Sequence, residues 1–220
     1  MPQALWTAVD RYISDVCLAP DPALDAALRN STAAGLPAIN VSPAQGKLLH
    51  LFARIAGAKK ILEIGTLGGY SSIWLARALP ADGRLITLEY EPKHAAVAKN
   101  NIAAAGLASL VDIRVGPAIE TLPHVLSDGP FDLVFIDADK QSTAEYFEWA
   151  LRLSRPGSVI IVDNVIRDGK IVDAASTDSG VVGIRRFNER LKNERRVSST
   201  AIQTVGSKGY DGFTIAIVSG

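Results

Sequence analysis

Five polar side chains directly follow two short apolar runs of the chain, FDLVFI and SVIIV. They are Asp137, Asp139, Lys140, Asp163 and Asn164. Runs of this length and composition are typical of buried parallel strands, whose carboxyl ends meet at one edge of a sheet. Two carboxylates and an amide oxygen from this set are hard ligands that suit Mg²⁺, Mn²⁺ or Ca²⁺ and leave positions for a vicinal diol. The pattern predicts a divalent metal site, with Lys140 near enough to accept a proton from a phenol, although a single strand-end Asp or Asn is more often a helix cap.

A glycine-rich loop, EIGTLGGYSS over 63–72, follows the first predicted strand. Its glycines allow a ligand to approach the backbone closely, and Glu89 at the end of the second strand is placed to accept hydrogen bonds from ribose hydroxyls. Both features occur in dinucleotide and S-adenosylmethionine sites. The spacing G-x-x-G-G differs from the dinucleotide pattern G-x-G-x-x-G, and Glu63 would repel a pyrophosphate but tolerate a sulfonium. The loop favours S-adenosylmethionine, while NAD and a purely structural turn stay open as alternatives.

The elements that position these residues alternate between strand-like and helix-like segments, which is typical of a parallel sheet with crossover helices. Strands are predicted at 60–64, 84–89, 110–115, 131–136, 158–162, 196–204 and 212–218. Helices are predicted at 5–17, 22–34, 43–56, 71–79, 92–105, 117–126, 143–153 and 181–193. We therefore expect an α/β fold with a doubly wound, seven-stranded, mostly parallel sheet that ends in an antiparallel hairpin. The expected organisation is a single domain over 1–220, with a helical cap at 1–56 and an α/β core at 57–220.

The composition and the net charge of the chain argue against several classes of function. The 220 residues carry 23 Lys and Arg against 23 Asp and Glu, so the net charge is zero and broad affinity for nucleic acid or membranes is not expected. Cys17 is the single cysteine, which rules out an intramolecular disulfide. The N-terminus lacks the pattern of a signal peptide and no apolar run is long enough to span a membrane, so a cytoplasmic protein is expected. His50, His94 and His124 are predicted to lie away from the strand-end edge and to be structural.

Several ordered motifs make the chain resemble the cation-dependent class I S-adenosylmethionine O-methyltransferases, the family of catechol and caffeoyl-CoA O-methyltransferases. The motifs are EIGTLGGYSS (63–72), LEYEP (88–92), GPAIETLP (116–123), FDLVFIDADK (131–140) and VDNVIRDGK (162–170). The resemblance runs from about residue 41 to the C-terminus and is strongest to the bacterial members of the family.

The resemblance implies a role for each matching position. Cofactor contacts are implied for Val41, Glu63, Gly65, Thr66, Gly69, Ser71, Glu89, Ala118, Asp137 and Asp139. Metal ligands are implied for Asp137, Asp163 and Asn164. Substrate contacts are implied for Asp137, Lys140, Asn164 and Asp168, in a loop over 164–180 that is expected to touch substrate and to include Arg167. Lys140 is the implied catalytic base and Asp137 the second catalytic residue.

The function implied is methyl transfer from S-adenosylmethionine, with Mg²⁺ or a similar ion, to a catechol-like small phenol, by an enzyme that forms a homodimer. The loop over 164–180 is shorter than the plant insertion that handles coenzyme A, which argues against an acyl-CoA substrate. One alternative is methylation of a hydroxylated uridine in transfer RNA. It would need the basic cluster of Arg185, Arg186, Arg190, Lys192, Arg195 and Arg196 as a binding surface. An NAD-dependent oxidoreductase is the alternative from another class.

Overall fold

The computed structural model describes residues 2–219. The helices are α1 (Pro2–Cys17), α2 (Pro22–Ala33), α3 (Pro43–Ile55), α4 (Tyr70–Ala76), α5 (Pro92–Ala104), α6 (Ala118–Thr121), α7 (Thr143–Arg152) and α8 (Ser179–Asn193). The strands are β1 (Lys60–Ile64), β2 (Arg84–Glu89), β3 (Val111–Val115), β4 (Phe131–Ile136), β5 (Ser154–Asp163), β6 (Val197–Gly206) and β7 (Gly209–Val218). Short 3₁₀ segments lie at Leu122–Asp128, Lys140–Ser142 and Lys170–Val172.

The seven strands form one sheet in the order β3-β2-β1-β4-β5-β7-β6. β1 to β5 are parallel, and β7 runs antiparallel between β5 and β6. The predicted α/β class, the number of strands and the antiparallel C-terminal hairpin are confirmed. The strand order reverses between β1 and β4, and a ligand crevice in such a sheet is expected outside the carboxyl ends of these strands.

Two apolar clusters cover the two faces of the sheet, because alternate side chains of a strand point to opposite faces. Val134 and Ile136 of β4 join the cluster with Phe147 of α7 and Phe187 of α8, whose rings meet edge to face at 5.2 Å. Leu133 and Phe135 of β4 join the other cluster, which includes residues of α2 to α5. The cluster on this second face therefore takes in α2 and α3, which come from the predicted cap. The division of 1–56 from 57–220 stays a prediction.

At three places the observed elements differ from their predicted bounds for an identifiable physical reason. The helix expected over 117–126 is α6 followed by a 3₁₀ segment, because Pro123 has no N–H to donate to an α-helical hydrogen bond. β5 begins at Ser154 because Phe131 of β4 pairs with it before an irregularity in register, and the Ser158 hydroxyl donates to the Phe131 carbonyl at 2.7 Å. β6 and β7 pair as far as Gly206 and Gly209, so the predicted turn shortens to two residues.

In the described part of the chain, no helix has the length and apolarity needed to cross a membrane.

Candidate active site

A cavity of about 1230 Å³ lies at the carboxyl ends of β1, β2 and β4. It exceeds the roughly 300–1,000 Å³ of typical small-molecule sites, so it has room for a cofactor and an acceptor together. Among the predicted site residues, the cavity is lined by Val41, Gly65, Thr66, Ser71, Glu89, Ala118, Asp137, Asp139, Lys140 and Asn164. The structure thus brings together residues that the sequence spreads over more than 120 positions.

The loop after β1 is held against the ends of β2 and β4. Gly65 has φ +102°, and a Cβ on it would lie 2.1 Å from the carbonyl oxygen of Asp137, so no larger residue fits there without displacing backbone. The Glu89 carboxylate accepts hydrogen bonds from the backbone N–H groups of Thr66 (3.2 Å) and Leu67 (2.7 Å) through Oε2. Its Oε1 accepts from the N–H of Glu91 at 2.9 Å. Glu89 therefore fixes the loop while it also lines the cavity.

Glu63 lies beneath this loop and not on the cavity wall. It is fully buried and accepts hydrogen bonds from the hydroxyls of Ser71 (2.6 Å), Ser72 and Thr87 (2.7 Å). Burial raises the pKa of Glu63 to about 7, although the three hydroxyls oppose the shift. Ser71 lines the cavity, so Glu63 can orient that side chain from below. The predicted cofactor contact of Glu63 itself stays a prediction, as does that of Gly69, which caps α4 with φ +81° outside the cavity lining.

The predicted metal ligands lie at the ends of β4 and β5. Asp137 is ion-paired with Lys140, with 2.9 Å between Oδ1 and Nζ. Asp163 is buried, and its Oδ2 accepts a hydrogen bond from Nε2 of Gln45 in α3 at 2.7 Å. Its Oδ1 accepts from the N–H of Asn164 at 2.9 Å, and Asn164 has φ +59° and lines the cavity.

The charge at this place fits a bound cation. Burial and the negative charge of Asp137 together raise the pKa of Asp163 to about 7, against the opposing charge of Lys140. A buried carboxylate beside a second one is costly unless positive charge offsets both. Within 2–219 no group of three or more His, Cys, Asp or Glu side chains is arranged to hold a metal, so the set here is two carboxylates and an amide oxygen. Such oxygen donors fit Mg²⁺ or Mn²⁺, with the remaining positions open to water or substrate.

Three more predicted residues line the same cavity. Asp139 accepts a hydrogen bond from the Tyr146 hydroxyl, and its Oδ2 accepts one from the N–H of Ser142 at 3.1 Å. Val41 is buried between α2 and α3, and Ala118 begins α6. The cofactor contacts expected of these three residues stay predictions.

Two residues lie elsewhere than the sequence indicated. His94 was expected away from the strand-end edge, and this expectation is wrong: it lines the cavity, with Nδ1 3.4 Å from Oε1 of Glu89. The reason is that α5 begins three residues after β2, so its first turn stays at the edge. Asp168, a predicted substrate contact, is exposed and outside the cavity lining, whereas its neighbour Arg167 lines the cavity.

Sequence reasoning missed Gln45 and Tyr146 as neighbours of the site. Gln45 is 118 positions from Asp163, and nothing in its local pattern indicates that contact. His94 could have been found, because it lies in the first turn of the helix that follows the strand-end acid Glu89.

A family model described as O-methyltransferase matches residues 17–217. A catechol O-methyltransferase of Niastella koreensis is 57% identical over 220 residues, which is 99% of this chain and 100% of that protein. The O-methyltransferase of Bacillus cereus, solved with S-adenosylhomocysteine, superposes with a TM-score of 0.97 at 55% identity and covers 99% of this chain and 100% of its own. An O-methyltransferase of Streptomyces achromogenes, solved with S-adenosylmethionine, gives a TM-score of 0.97 at 52% identity over the full length of both chains.

The match spans most of the chain, and the relatives are similar over nearly their whole length. The chain therefore belongs to the O-methyltransferase family of S-adenosylmethionine-dependent enzymes.

Proposed function

We propose that this O-methyltransferase transfers the methyl group of S-adenosylmethionine to one hydroxyl of a catechol-like aromatic substrate, with a divalent cation held at the ends of β4 and β5. One observation carries the proposal: Lys140, Asp137 and Asn164 line the same cavity as the glycine loop and Glu89. A methyl donor on the loop and a diol at the acids would therefore share one enclosed space. Holding two reactants in such contact is a large part of what a transferase contributes to rate.

The cofactor end of the cavity is built for an adenosyl sulfonium. Glu89 keeps its carboxylate at the cavity wall, where ribose hydroxyls can donate to it, and Gly65 lets the ligand approach the backbone. Asp137 adds a carboxylate to the cavity wall beside the loop, which suits a positively charged sulfur. The relatives solved with S-adenosylmethionine and S-adenosylhomocysteine support this assignment.

At the acceptor end, Asp137, Asp163 and Asn164 would hold the cation. When bound, a divalent cation supplies positive charge that offsets the two carboxylates and favours the deprotonated form of a neighbouring phenol. Lys140 lies at the cavity wall with Nζ held by its ion pair with Asp137, and it would take the phenolic proton at Nζ after that ammonium has released a proton to solvent. The oxygen then forms its bond to the methyl carbon as the bond from carbon to sulfur breaks, which leaves S-adenosylhomocysteine.

The test is a methyl-transfer assay with catechol, 3,4-dihydroxybenzoate, caffeate and bulk transfer RNA, each with Mg²⁺ and with EDTA. We expect methylation of the catechols that is abolished by EDTA and restored by added Mg²⁺. Lys140→Met should lose turnover but keep affinity for S-adenosylhomocysteine, measured by calorimetry. Activity that survives chelation would remove the metal from the proposal, and a panel in which no catechol is methylated would overturn the substrate class.

Among residues 2–219, the basic cluster gives the transfer RNA alternative no support. Three cations of its basic cluster are paired with acids: Arg186 with Glu145, Arg190 with Glu148 at 2.8 Å, and Arg196 with Glu194 at 2.7 Å. Pairing of this kind lowers the positive charge available to a phosphate backbone. The match to an O-methyltransferase family argues against the NAD alternative.

We also propose that the protein is a homodimer, as the family resemblance implies. α1 has no buried residue and exposes the apolar side chains of Leu5, Val9, Tyr12 and Val16. An exposed apolar face of this kind is typical of a surface that packs against another chain. Light scattering coupled to gel filtration should give twice the mass of 23.4 kDa, and a monomer at micromolar concentration would refute this assignment.

A further inference from the structure

We propose that Arg167 selects acceptors that carry a carboxylate, so that the preferred substrates are dihydroxybenzoate-like or dihydroxycinnamate-like acids and not neutral or cationic catechols. The inference rests on the proposed function, because it names the substrate class of the same site.

Arg167 stands at the acceptor end of the cavity. It lines the wall together with Asn164 and Lys140, and it is three residues after Asn164, which directly follows β5. An acceptor whose hydroxyls reach Asn164 and Asp137 would therefore have Arg167 among its neighbours.

The backbone holds this arginine in a conformation that few arginines adopt. Its φ is +54°, a left-handed value that costs roughly 1–2 kcal/mol for a residue with a Cβ. Asp211 of β7 holds the turn, because its Oδ1 accepts hydrogen bonds from the N–H groups of Ile166 (2.9 Å) and Arg167 (3.1 Å). The side chain is thus directed by a fixed turn and not by a freely moving loop.

The guanidinium lacks the partner that such a group normally has. Over residues 2–219, no carboxylate lies within the 4.0 Å of an ion pair with it, and its Nε is buried without a hydrogen-bond partner. The other basic side chains on the cavity wall each have a carboxylate beside them, Asp137 for Lys140 and Glu89 for His94. The charge of Arg167 is therefore not offset by a carboxylate in contact with it, and a ligand carboxylate that reaches its Nη groups from the cavity would gain affinity.

The nearest acid on the neighbouring helix is already engaged. Asp178 caps α8, where its Oδ1 accepts from the N–H groups of Gly180 (2.8 Å) and Val181 (3.1 Å), and it is exposed to solvent. Arg167 lies close to the same helix start, since its Nη2 would be 3.5 Å from a Cβ on Gly180. Solvent therefore screens the charge of Asp178 from Arg167, and Asp178 makes no ion pair with the guanidinium.

The two Nη groups of a planar guanidinium can donate two hydrogen bonds to one carboxylate, and those of Arg167 are not taken by another side chain of residues 2–219. A neutral amide of the same shape offers a single oxygen acceptor and no charge, and an ammonium would be repelled. The structure therefore favours an acidic acceptor over its neutral isostere.

The experiment compares 3,4-dihydroxybenzoate with 3,4-dihydroxybenzamide, and caffeate with caffeamide, so that the two pairs separate a carboxylate on the ring from one on a three-carbon arm. For wild type we expect kcat/KM to favour the acid of at least one pair by about 10- to 100-fold, as for a charge-assisted hydrogen bond. Arg167→Met should bring that ratio close to one through a higher KM for the acid, and Arg167→Lys should keep part of it. Lys170→Met, which removes an exposed cation of the same loop outside the cavity lining, is the matched control and should keep the wild-type ratio.

Binding of the acids to protein saturated with Mg²⁺ and S-adenosylhomocysteine, measured by calorimetry, repeats the comparison without turnover. If no catechol is methylated but acid binding still depends on Arg167, the proposed function fails and the recognition by Arg167 stands. Arg167→Met with an unchanged acid-to-amide ratio overturns the inference, and so does a wild type that prefers the amide in both pairs.

Discussion

The buried carboxyl of Glu63 makes the stability of this protein depend on pH in a direction opposite to that of a salt-bridged acid. Its pKa rises from an ordinary 4.5 to about 7 because burial removes the carboxylate from water. Below pH 4.5 the group is protonated in both the folded and the unfolded chain. Between pH 4.5 and about 7 the folded chain keeps a proton that the unfolded chain has lost, so the free energy of unfolding falls through this window and levels off above it.

The magnitude follows from the size of the shift. A tenfold change in proton affinity is worth about 1.4 kcal/mol, so the rise from 4.5 to about 7 corresponds to about 3 kcal/mol of lost stability above pH 7. Glu63→Gln has the shape of the protonated acid and does not titrate. The difference in free energy of unfolding between Glu63→Gln and wild type should therefore shift by about 3 kcal/mol in favour of the variant as the pH rises from 4.5 to 8. For a chain of this length, that is a gain of roughly 6–12 °C in Tm.

The assay is urea denaturation at half-unit steps from pH 4.5 to 8, with wild type and variant measured side by side so that other titrating groups cancel. Glu120→Gln, which neutralises an exposed glutamate of α6, is the matched control and should follow the wild-type curve. Parallel curves for wild type and Glu63→Gln would refute the reasoning, because they would show that this carboxyl titrates alike in both states.

Three further predictions concern the loop and the metal ligands. Asp137→Ala should abolish turnover while S-adenosylhomocysteine affinity falls much less, and an equal loss of both, measured by kinetics and calorimetry, would contradict a role as metal ligand. Gln45→Met removes the N–H donor to Asp163 and should weaken Mn²⁺ binding by about 10- to 100-fold. The Kd is measured by electron paramagnetic resonance titration, and an unchanged Kd would show that the hydrogen bond does not orient the carboxylate. Gly65→Ala should lower the free energy of unfolding by about 3 kcal/mol or more in denaturation experiments, because the new Cβ would meet the Asp137 carbonyl. Gly57 also has a positive φ, but nothing lies within 4 Å of a Cβ there, so Gly57→Ala should lower it by only about 1 kcal/mol.

Much of the fold could be predicted because its signals are local. Apolar runs such as FDLVFI, prolines at the first positions of α2, α3 and α5, and glycines at turns are properties of neighbouring residues. The bounds that differed depend on other parts of the chain. β5 begins four residues earlier than expected because β4 pairs with Ser154, and pairing across a sheet is not visible in the run SVIIV by itself.

The same distinction holds for the site. The sequence by itself determined that Asp137, Lys140, Asp163 and Asn164 meet at one sheet edge, because parallel strands joined by crossover helices place their carboxyl ends together whatever the details of packing. Only the tertiary structure decided which side chains enter the cavity from that edge. It brought Gln45 of α3 to Asp163 and turned Arg167, but not Asp168, into the cavity. These outcomes depend on how helices dock on the sheet and on backbone angles held by distant partners such as Asp211, and such long-range contacts leave no periodic signal in the chain.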